Sequence, residues 1–381
     1  MIGTRYTEEL INSYVSQGLW DPDLLINDLI DRCVLHYPDE EAVVDAGMRL
    51  TWREASQRID RIARGLLELG FKKDEVLATQ LYNCVEYFLL FFACEKAGVV
   101  MATSQPTFRQ AEMEPILRQT GAKGIVIPYN FRNFDYFAMA KELQARQPWM
   151  EHIIVIGDEV PEGALSLKEM MSLEAADGVK LPQVRFKPFE VTRIFNTSGT
   201  TGTPKCIERP VAPRILTGKV LVQRLGLRHD DILAAGWNLA AGGSELLCNV
   251  SVPWVGCKMI NIEQFKPQLV CELLEREKVS VLAAVPAELV RLVDYPDLDK
   301  YDFSSLRMIF TGTQLLTPEL GARAEERLGC PMVIIFGSGD TGPICTTTFG
   351  DPPEVRLRTV GRPVDGNVVK IVDSVGNIVP T

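Results

Sequence analysis

The sequence predicts a layered α/β protein with parallel-rich sheets. Two observations carry this. Helix-length segments alternate with short β-type apolar runs between about residues 54 and 127, and again between about 266 and 336, which is the pattern of sheets with helices packed on their faces. The chain is also long enough, at 381 residues with 46% hydrophobic and 24% charged side chains, to build two or three domain-sized units around a large core.

Ala55, Ile59, Ile62, Leu66 and Leu69 form a helical stripe over 54–69, with charges on the other face, and Gly70 ends it. A second helix is expected near 85–97. Its run 87–94 is apolar all round, too short to span a bilayer and therefore a buried helix. A strand at 99–102, a helix at 110–119 and a strand at 124–127 follow. The stretch 129–190 is less regular and reads as peripheral, with one strand at 153–156. Farther on, 279–285, 307–310 and 333–336 read as buried strands, with helices at 266–277 and 317–328 between them. After Pro343 come short β-like pieces with turns at Asp351-Pro352-Pro353 and 374–377. The expected organisation is a first α/β subdomain over 1–190, a second over 191–343, and the start of a small β subdomain over 344–381.

The formal net charge of -10 argues against a nucleic-acid surface, and no basic run addresses a membrane. An acidic protein can still hold phosphates through a local cluster of backbone N–H groups. Nine cysteines without a Cys-x-x-Cys pair read as buried free thiols rather than a disulfide framework. His36, His152 and His229 have no zinc-site spacing. The N-terminus has no apolar signal core, so a cytoplasmic location is expected.

The most informative stretch is Ile194-Phe195-Asn196-Thr197-Ser198-Gly199-Thr200-Thr201-Gly202-Thr203-Pro204-Lys205. An apolar strand end runs into glycines and small hydroxylated residues and closes on a lysine. Glycines let backbone approach a ligand, successive N–H groups can cradle an anion, and the hydroxyls and the lysine add donors and charge. The Gly-x-x-x-x-Gly-Lys spacing of a Walker loop is absent. A Gly/Ser/Thr linker is the other reading of composition alone.

From Thr197 to Lys205 the sequence resembles the phosphate-loop signature of the adenylate-forming superfamily: acyl-CoA synthetases, aryl-acid adenylating enzymes, peptide-synthetase adenylation domains and beetle luciferases. Further landmarks extend the resemblance over nearly the whole chain: Leu50-Thr51-Trp52-Arg53-Glu54, Lys96-Ala97-Gly98, Gln105-Pro106-Thr107, Gly121-Ala122-Lys123, and the stretch from Gly361 through Gly366 to Pro380. The resemblance implies the fold of the superfamily's large N-terminal part, including the start of its small β-barrel. The ribose-binding Asp, the hinge and the small C-terminal domain with its catalytic Lys would lie beyond Thr381, which suggests a fragment of a longer enzyme.

The resemblance also implies site roles. Thr197, Ser198, Gly199, Thr200, Thr201, Gly202 and Lys205 would hold the ATP phosphates, with Thr200 and Lys205 acting in catalysis. Thr311-Gly312-Thr313-Gln314-Leu315 is similar to the loop against adenine. Phe336-Gly337-Ser338-Gly339-Asp340-Thr341 is similar to a Tyr-Gly-x-Thr-Glu element: Phe336 would stack on adenine, and Asp340 would hold Mg2+ or be a solvated loop carboxylate. Gly339 stands where a Thr is usual, and Thr341 is the candidate to replace its hydroxyl. Trp237, Asn238, Ala287, Gly312, Gly337 and Ser338 would line the acid pocket, although Trp237 could equally be core. The Trp237-Asn238 element carries no Asp, which disfavours an amino acid substrate, and the resemblance is nearest to aryl-acid and cyclic-acid members. The expected activity is ATP-dependent formation of an acyl adenylate with release of pyrophosphate, then transfer to CoA or to a carrier-protein pantetheine. A non-catalytic ligand-binding remnant is the alternative. No nucleic-acid or membrane partner is expected, and a homodimer is left open.

Overall fold

The computed structural model describes residues 3, 6–172, 185–196, 204–339 and 341–379. At its centre lies the helix Val85–Ala97, in which every residue except Glu86 and Lys96 is buried. A helix that is apolar on all sides is stable in water only when other elements cover it completely. Here two sheets and a second helix do so. Phe88, Leu89 and Phe92 pack in one cluster with Leu77 and Met101 of the first sheet, Leu233, Met259 and Phe310 of the second, and Ile59, Ile62 and Leu66 of the helix Trp52–Glu68. The last three belong to the stripe expected from the sequence.

The first sheet has seven strands in the order Cys206–Pro210, Val191–Asn196, Val100–Thr103, Val76–Thr79, Gly124–Pro128, His152–Ile156, Leu165–Ser166. All neighbours run parallel except the pair Cys206–Pro210 and Val191–Asn196. The second has nine, in the order Arg362–Pro363, Gly342–Thr346, Met332–Ser338, Met308–Gly312, Val281–Ala283, Ile232–Ala235, Lys258–Asn261, Glu41–Val44, Arg49–Thr51. Its six inner strands, from Met332–Ser338 to Glu41–Val44, are parallel, and antiparallel strands close both edges. The sheets exchange chain: 41–51 sit in the second, whereas 191–210 complete the first. Neither sheet therefore coincides with the segment 1–190 or 191–343. Within 344–381 the chain finishes an edge strand, forms the short helix Pro353–Arg358, adds Arg362–Pro363 to the large sheet, and makes a bridge between Val372 and Ile378.

Several sequence landmarks turn out to be helix ends. Thr51 and Glu54 form a capping box on Trp52–Glu68: the Thr51 hydroxyl accepts the Glu54 N–H at 3.2 Å, and the Glu54 carboxylate accepts the Thr51 N–H at 2.8 Å, which satisfies two otherwise orphaned donors. Gly98 and Gly121 sit just past their helices at φ of 75° and 61°, a left-handed conformation that costs glycine least. The stretch 129–190 is more regular than expected. It opens on a tight hairpin, Asn130–Phe131 with Phe134–Asp135, then forms the helix Tyr136–Arg146, capped by Asp135 accepting the Ala138 N–H at 2.8 Å. Tyr136, Met139, Ala140 and Leu143 are its buried face, a helical spacing that the aromatic hairpin just before it obscures.

All nine cysteines are free thiols, with only Cys206 less than fully buried. Among the described residues no helix is long and apolar enough to cross a membrane.

An ionic cluster lies inside the core. The Arg214 guanidinium donates to Glu95 at 2.9 Å, to Glu245 at 3.1 Å and to the Thr192 hydroxyl at 2.8 Å. Thr192 in turn donates to Glu95 at 2.7 Å, and Arg193 lies 3.6 Å from Glu245. All five side chains are buried. Removing one partner from such a group strands the rest without solvent, at a cost of about 3–5 kcal/mol. Arg214→Met is therefore expected to lower the unfolding free energy by about that amount, read as a lower urea midpoint at unchanged slope.

Candidate functional site at the carboxyl ends of two sheets

Four neighbouring strands of the large sheet end side by side: Met332–Ser338, Met308–Gly312, Val281–Ala283 and Ile232–Ala235. At these ends or just past them lie Phe336–Ser338, Gly312–Gln314, Val285–Ala287 and Gly236–Asn238, which contain the site residues expected from the sequence. Parallel α/β sheets bind ligands at this end, where strand ends splay into loops. Some of the molecule's buried polar atoms without a partner among the described residues lie here: Thr311 Oγ1, both amide atoms of Asn261 and Trp237 Nε1 on the large sheet, and Thr79 Oγ1 on the smaller one. Leaving such an atom unpaired costs about 1–3 kcal/mol, so a ligand or ordered water at this end has polar groups to satisfy.

The glycines at these ends have a packing reason. A Cβ at Gly312 would lie 2.6 Å from Ile335 Cγ2 and 3.3 Å from the Trp237 ring. One at Gly337 would lie 2.3 Å from the Gly342 carbonyl oxygen. Both positions exclude any other residue without a backbone shift. Thr313, next along, has a φ of 68°. For a β-branched residue that conformation costs about 1–3 kcal/mol and is tolerated mainly at ligand sites. Thr313 and Gln314 are exposed, Phe336 is 48% exposed, and Gly337, Ser338 and Thr341 are exposed. Together they form an open ledge with one aromatic ring and several backbone groups facing solvent.

Trp237 is 1% exposed and stacks on Phe310 with ring centroids 5.2 Å apart. It belongs to the core cluster and at the same time reaches the Gly312 strand end. Asn238, half-buried, folds back so that its Oδ1 accepts the Ala240 N–H at 2.8 Å. Ala287 is exposed, one residue into the helix Pro286–Val293. The Thr341 hydroxyl donates to the Gly342 carbonyl at 2.9 Å and lies 3.1 Å from the Ser338 hydroxyl.

Lys205 is exposed, immediately before the strand Cys206–Pro210. Thr197, Ser198, Gly199, Thr200, Thr201 and Gly202 lie outside the described residues, as does Asp340. Their flanks are described. Asn196 and Cys206 face each other across an antiparallel pair, and the Arg209 guanidinium on the returning strand donates to the Gly339 carbonyl. The strand leaving the glycine-rich run is thus tied to the loop that carries Asp340.

Sequence reasoning missed Arg209, and also Asn83 and Glu288. None stands out by composition: each is a lone polar residue whose partners are far along the chain or in its own turn. Glu288 accepts the Val285 N–H at 3.0 Å at the start of its helix, and burial pushes its carboxyl up to about 7.

With this geometry in place, comparison with known proteins assigns the family. The family model for AMP-binding enzymes matches residues 30–381. The chain belongs to that family. It is 30% identical over 374 residues to a Mycobacterium tuberculosis salicyl-AMP ligase / salicyl-S-ArCP synthetase, covering 96% of this chain and 64% of the relative. It is 26% identical over 385 residues to a Streptomyces carzinostaticus 2-hydroxy-7-methoxy-5-methyl-1-naphthoate--CoA ligase, covering 98% and 68%. Among solved structures, apo MbtA of Mycobacterium smegmatis superposes with a TM-score of 0.88 at 26% identity, over 99% of this chain and 68% of that one. The chain thus spans about two thirds of the length of these relatives.

Because the folded protein holds the Glu288 proton more tightly than the unfolded chain does, the stability tied to that proton is present at low pH and lost as pH rises through about 7. Wild-type melting temperature is expected to fall between about pH 5 and 8, and Glu288→Gln, which keeps the Val285 contact and cannot ionise, is expected to flatten that fall. Equal slopes would exclude Glu288 as the titrating group.

Proposed function

We propose that this chain forms the ATP- and acid-binding part of a ligase that activates an aromatic or cyclic carboxylic acid as its acyl adenylate. The observation that carries this reading is the side-by-side arrival of Gly236–Asn238, Val285–Ala287, Gly312–Gln314 and Phe336–Ser338 at one sheet end. The ring-acid relatives support the substrate class.

The substrate carboxylate oxygen attacks the α-phosphorus of ATP. An O–P bond forms, the α–β phosphoanhydride breaks, and pyrophosphate leaves with its electron pair. Catalysis at phosphorus is mostly positioning and charge neutralisation. Ser198, Thr200, Thr201 and Lys205 grip the leaving pyrophosphate, with Thr197, Gly199 and Gly202 shaping that cradle. Adenine rests on Gly312, Thr313 and Gln314 against Phe336. Trp237, Asn238, Ala287, Gly337 and Ser338 take the acid. With its Oδ1 already bonded to Ala240, Asn238 presents its amide N–H, and so favours an acceptor on the ring. Asp340 would hold Mg2+, which would supply charge neutralisation at the phosphates; Ser338 and Thr341, near it in sequence and exposed, offer hydroxyls of the hard-oxygen kind such an ion accepts.

The acyl group then passes to a thiol: a C–S bond forms, the acyl C–O bond to the phosphate breaks, AMP leaves with that electron pair, and the thiol's proton is released. CoA is the first reading. A carrier-protein pantetheine is the second, favoured by the relative named for salicyl-S-ArCP synthesis. Free thiols throughout suit a cytoplasmic enzyme.

The deciding experiment is acid-dependent ATP–pyrophosphate exchange by the whole ligase of which this chain forms part, over aryl, cyclic and straight-chain acids. Exchange is expected with ring acids, and its absence with every acid sinks the reading. Lys205→Ala is expected to lower exchange by about tenfold to a thousandfold with the fold intact. Trp237→Ala is expected to shift preference toward bulkier acids; an unchanged acid profile would leave Trp237 a core residue only. Parallel loading of CoA and of a pantetheinylated carrier separates the two acceptors.

A further inference from the structure

The segment that carries Trp237 and Asn238 has few backbone partners of its own. Gly236 donates to the Ala283 carbonyl at 2.8 Å, and Ala241 donates to the Asn238 carbonyl at 2.9 Å. Between them, the Leu239 N–H and the Trp237 carbonyl are both bonded by one side chain from a distant part of the chain, the carbonyl also accepting a longer bond of 3.4 Å from the Ser244 hydroxyl. Asn83 Oδ1 accepts the Leu239 N–H at 2.9 Å, and its Nδ2 donates to the Trp237 carbonyl at 2.6 Å. The carbonyls of Ala235 and Ile262 lie 3.3 Å, and that of Gly236 3.5 Å, from the same nitrogen. The side-chain amide thus pairs with residues 237 and 239 as a neighbouring strand's peptide group would. Its orientation is fixed by its surroundings, because the flipped amide would set an oxygen against four carbonyls and an NH2 against an N–H.

Asn83 is 5% exposed and stands two residues before the central buried helix. The first N–H of that helix, from Val85, is held by Asp45 Oδ2 at 2.7 Å. The loop is therefore referenced to the most completely enclosed element of the fold.

We propose that Asn83 is a positioning residue for the acid side of the site: it sets where the Trp237 ring and the Asn238 amide stand relative to the Gly312 strand end. This rests on the acid-site reading given above. The Trp237 ring lies 3.3 Å from where a Gly312 Cβ would be, so loosening residues 237–239 moves a wall of the acid pocket and leaves Phe336 and the phosphate-side strands in place. Displacement of a positioning element by an ångström can cost up to about a hundredfold.

The test uses Asn83→Ala and the milder Asn83→Ser, which carries no charge and is too short to reach both partners. In the whole ligase, hydrogen exchange of the peptide spanning 233–241 is followed beside that of the buried helix, and ATP–pyrophosphate exchange is titrated separately in salicylate and in ATP. Faster exchange at 239 with the helix still protected is expected. Half-saturating salicylate should rise about tenfold to a hundredfold, while half-saturating ATP stays within about twofold. Wild-type protection at 239, or salicylate and ATP requirements rising together with a lowered melting temperature, overturns the proposal and leaves Asn83 an ordinary core residue. If wild type answers to no ring acid, the acid-site reading is what has failed, and the exchange at 239 alone then judges whether Asn83 holds the loop.

Discussion

Four charged side chains that water cannot reach fix how the parts of this protein stand to one another. Glu95 comes from the buried helix, Arg193 from the strand Val191–Asn196, Arg214 from the helix Val211–Leu225 and Glu245 from the helix Gly242–Leu246. Charges in a low-dielectric interior must neutralise one another at short range. A cluster of this kind adds little net stability and instead penalises every arrangement in which its members fail to meet. The Arg193 guanidinium makes no hydrogen bond among the described residues and lies 3.7 Å from the centre of the Phe91 ring, where the ring face supplies negative potential in place of water. The strand that enters the glycine-rich run and the helix that leaves the Trp237 segment are thereby held to one reference.

That constraint explains why the site can be made almost wholly of chain ends. Strand termini carry Gly312, Gly337 and the approach to Trp237, and none of these is rigid alone. Each is stiffened from behind: Gly312 by contact with Ile335 and Trp237, Gly337 by the crossing carbonyl of Gly342, and the Gly339 carbonyl by Arg209. Small residues permit the close approach, and the larger neighbours that fill the remaining space hold it still.

Much of this was legible in the sequence, for identifiable reasons. Helices with a full stripe or an unbroken apolar run, such as Trp52–Glu68 and Val85–Ala97, declare themselves because burial alone dictates their pattern. Glycines at helix ends and strand ends are legible because their conformational or steric need is local. The helix Tyr136–Arg146 was obscured by aromatic residues that belong to the hairpin before it. Short strands such as Ile232–Ala235 and Lys258–Asn261, four residues each, carry too few positions for a period to show. Asn83 and Arg209 were invisible for a different reason: their significance lies wholly in partners 156 and 130 residues away, and nothing in the local pattern of a polar residue records a distant carbonyl.

The exchange of strands between the sheets shapes how the chain can fold. Glu41–Val44 is paired on one side only by its own hairpin partner Arg49–Thr51 until Lys258–Asn261 has been made. The buried helix likewise has half its cover missing until the strands Ile232–Ala235 and Met308–Gly312 arrive. Contacts so far apart in sequence are entropically costly to close and form late. During synthesis an apolar helix and an open strand edge would therefore stay uncovered for some two hundred residues of elongation, the condition in which large α/β chains pass through sticky intermediates. The same interleaving that leaves the finished protein without a clean seam makes its early half dependent on a half not yet translated.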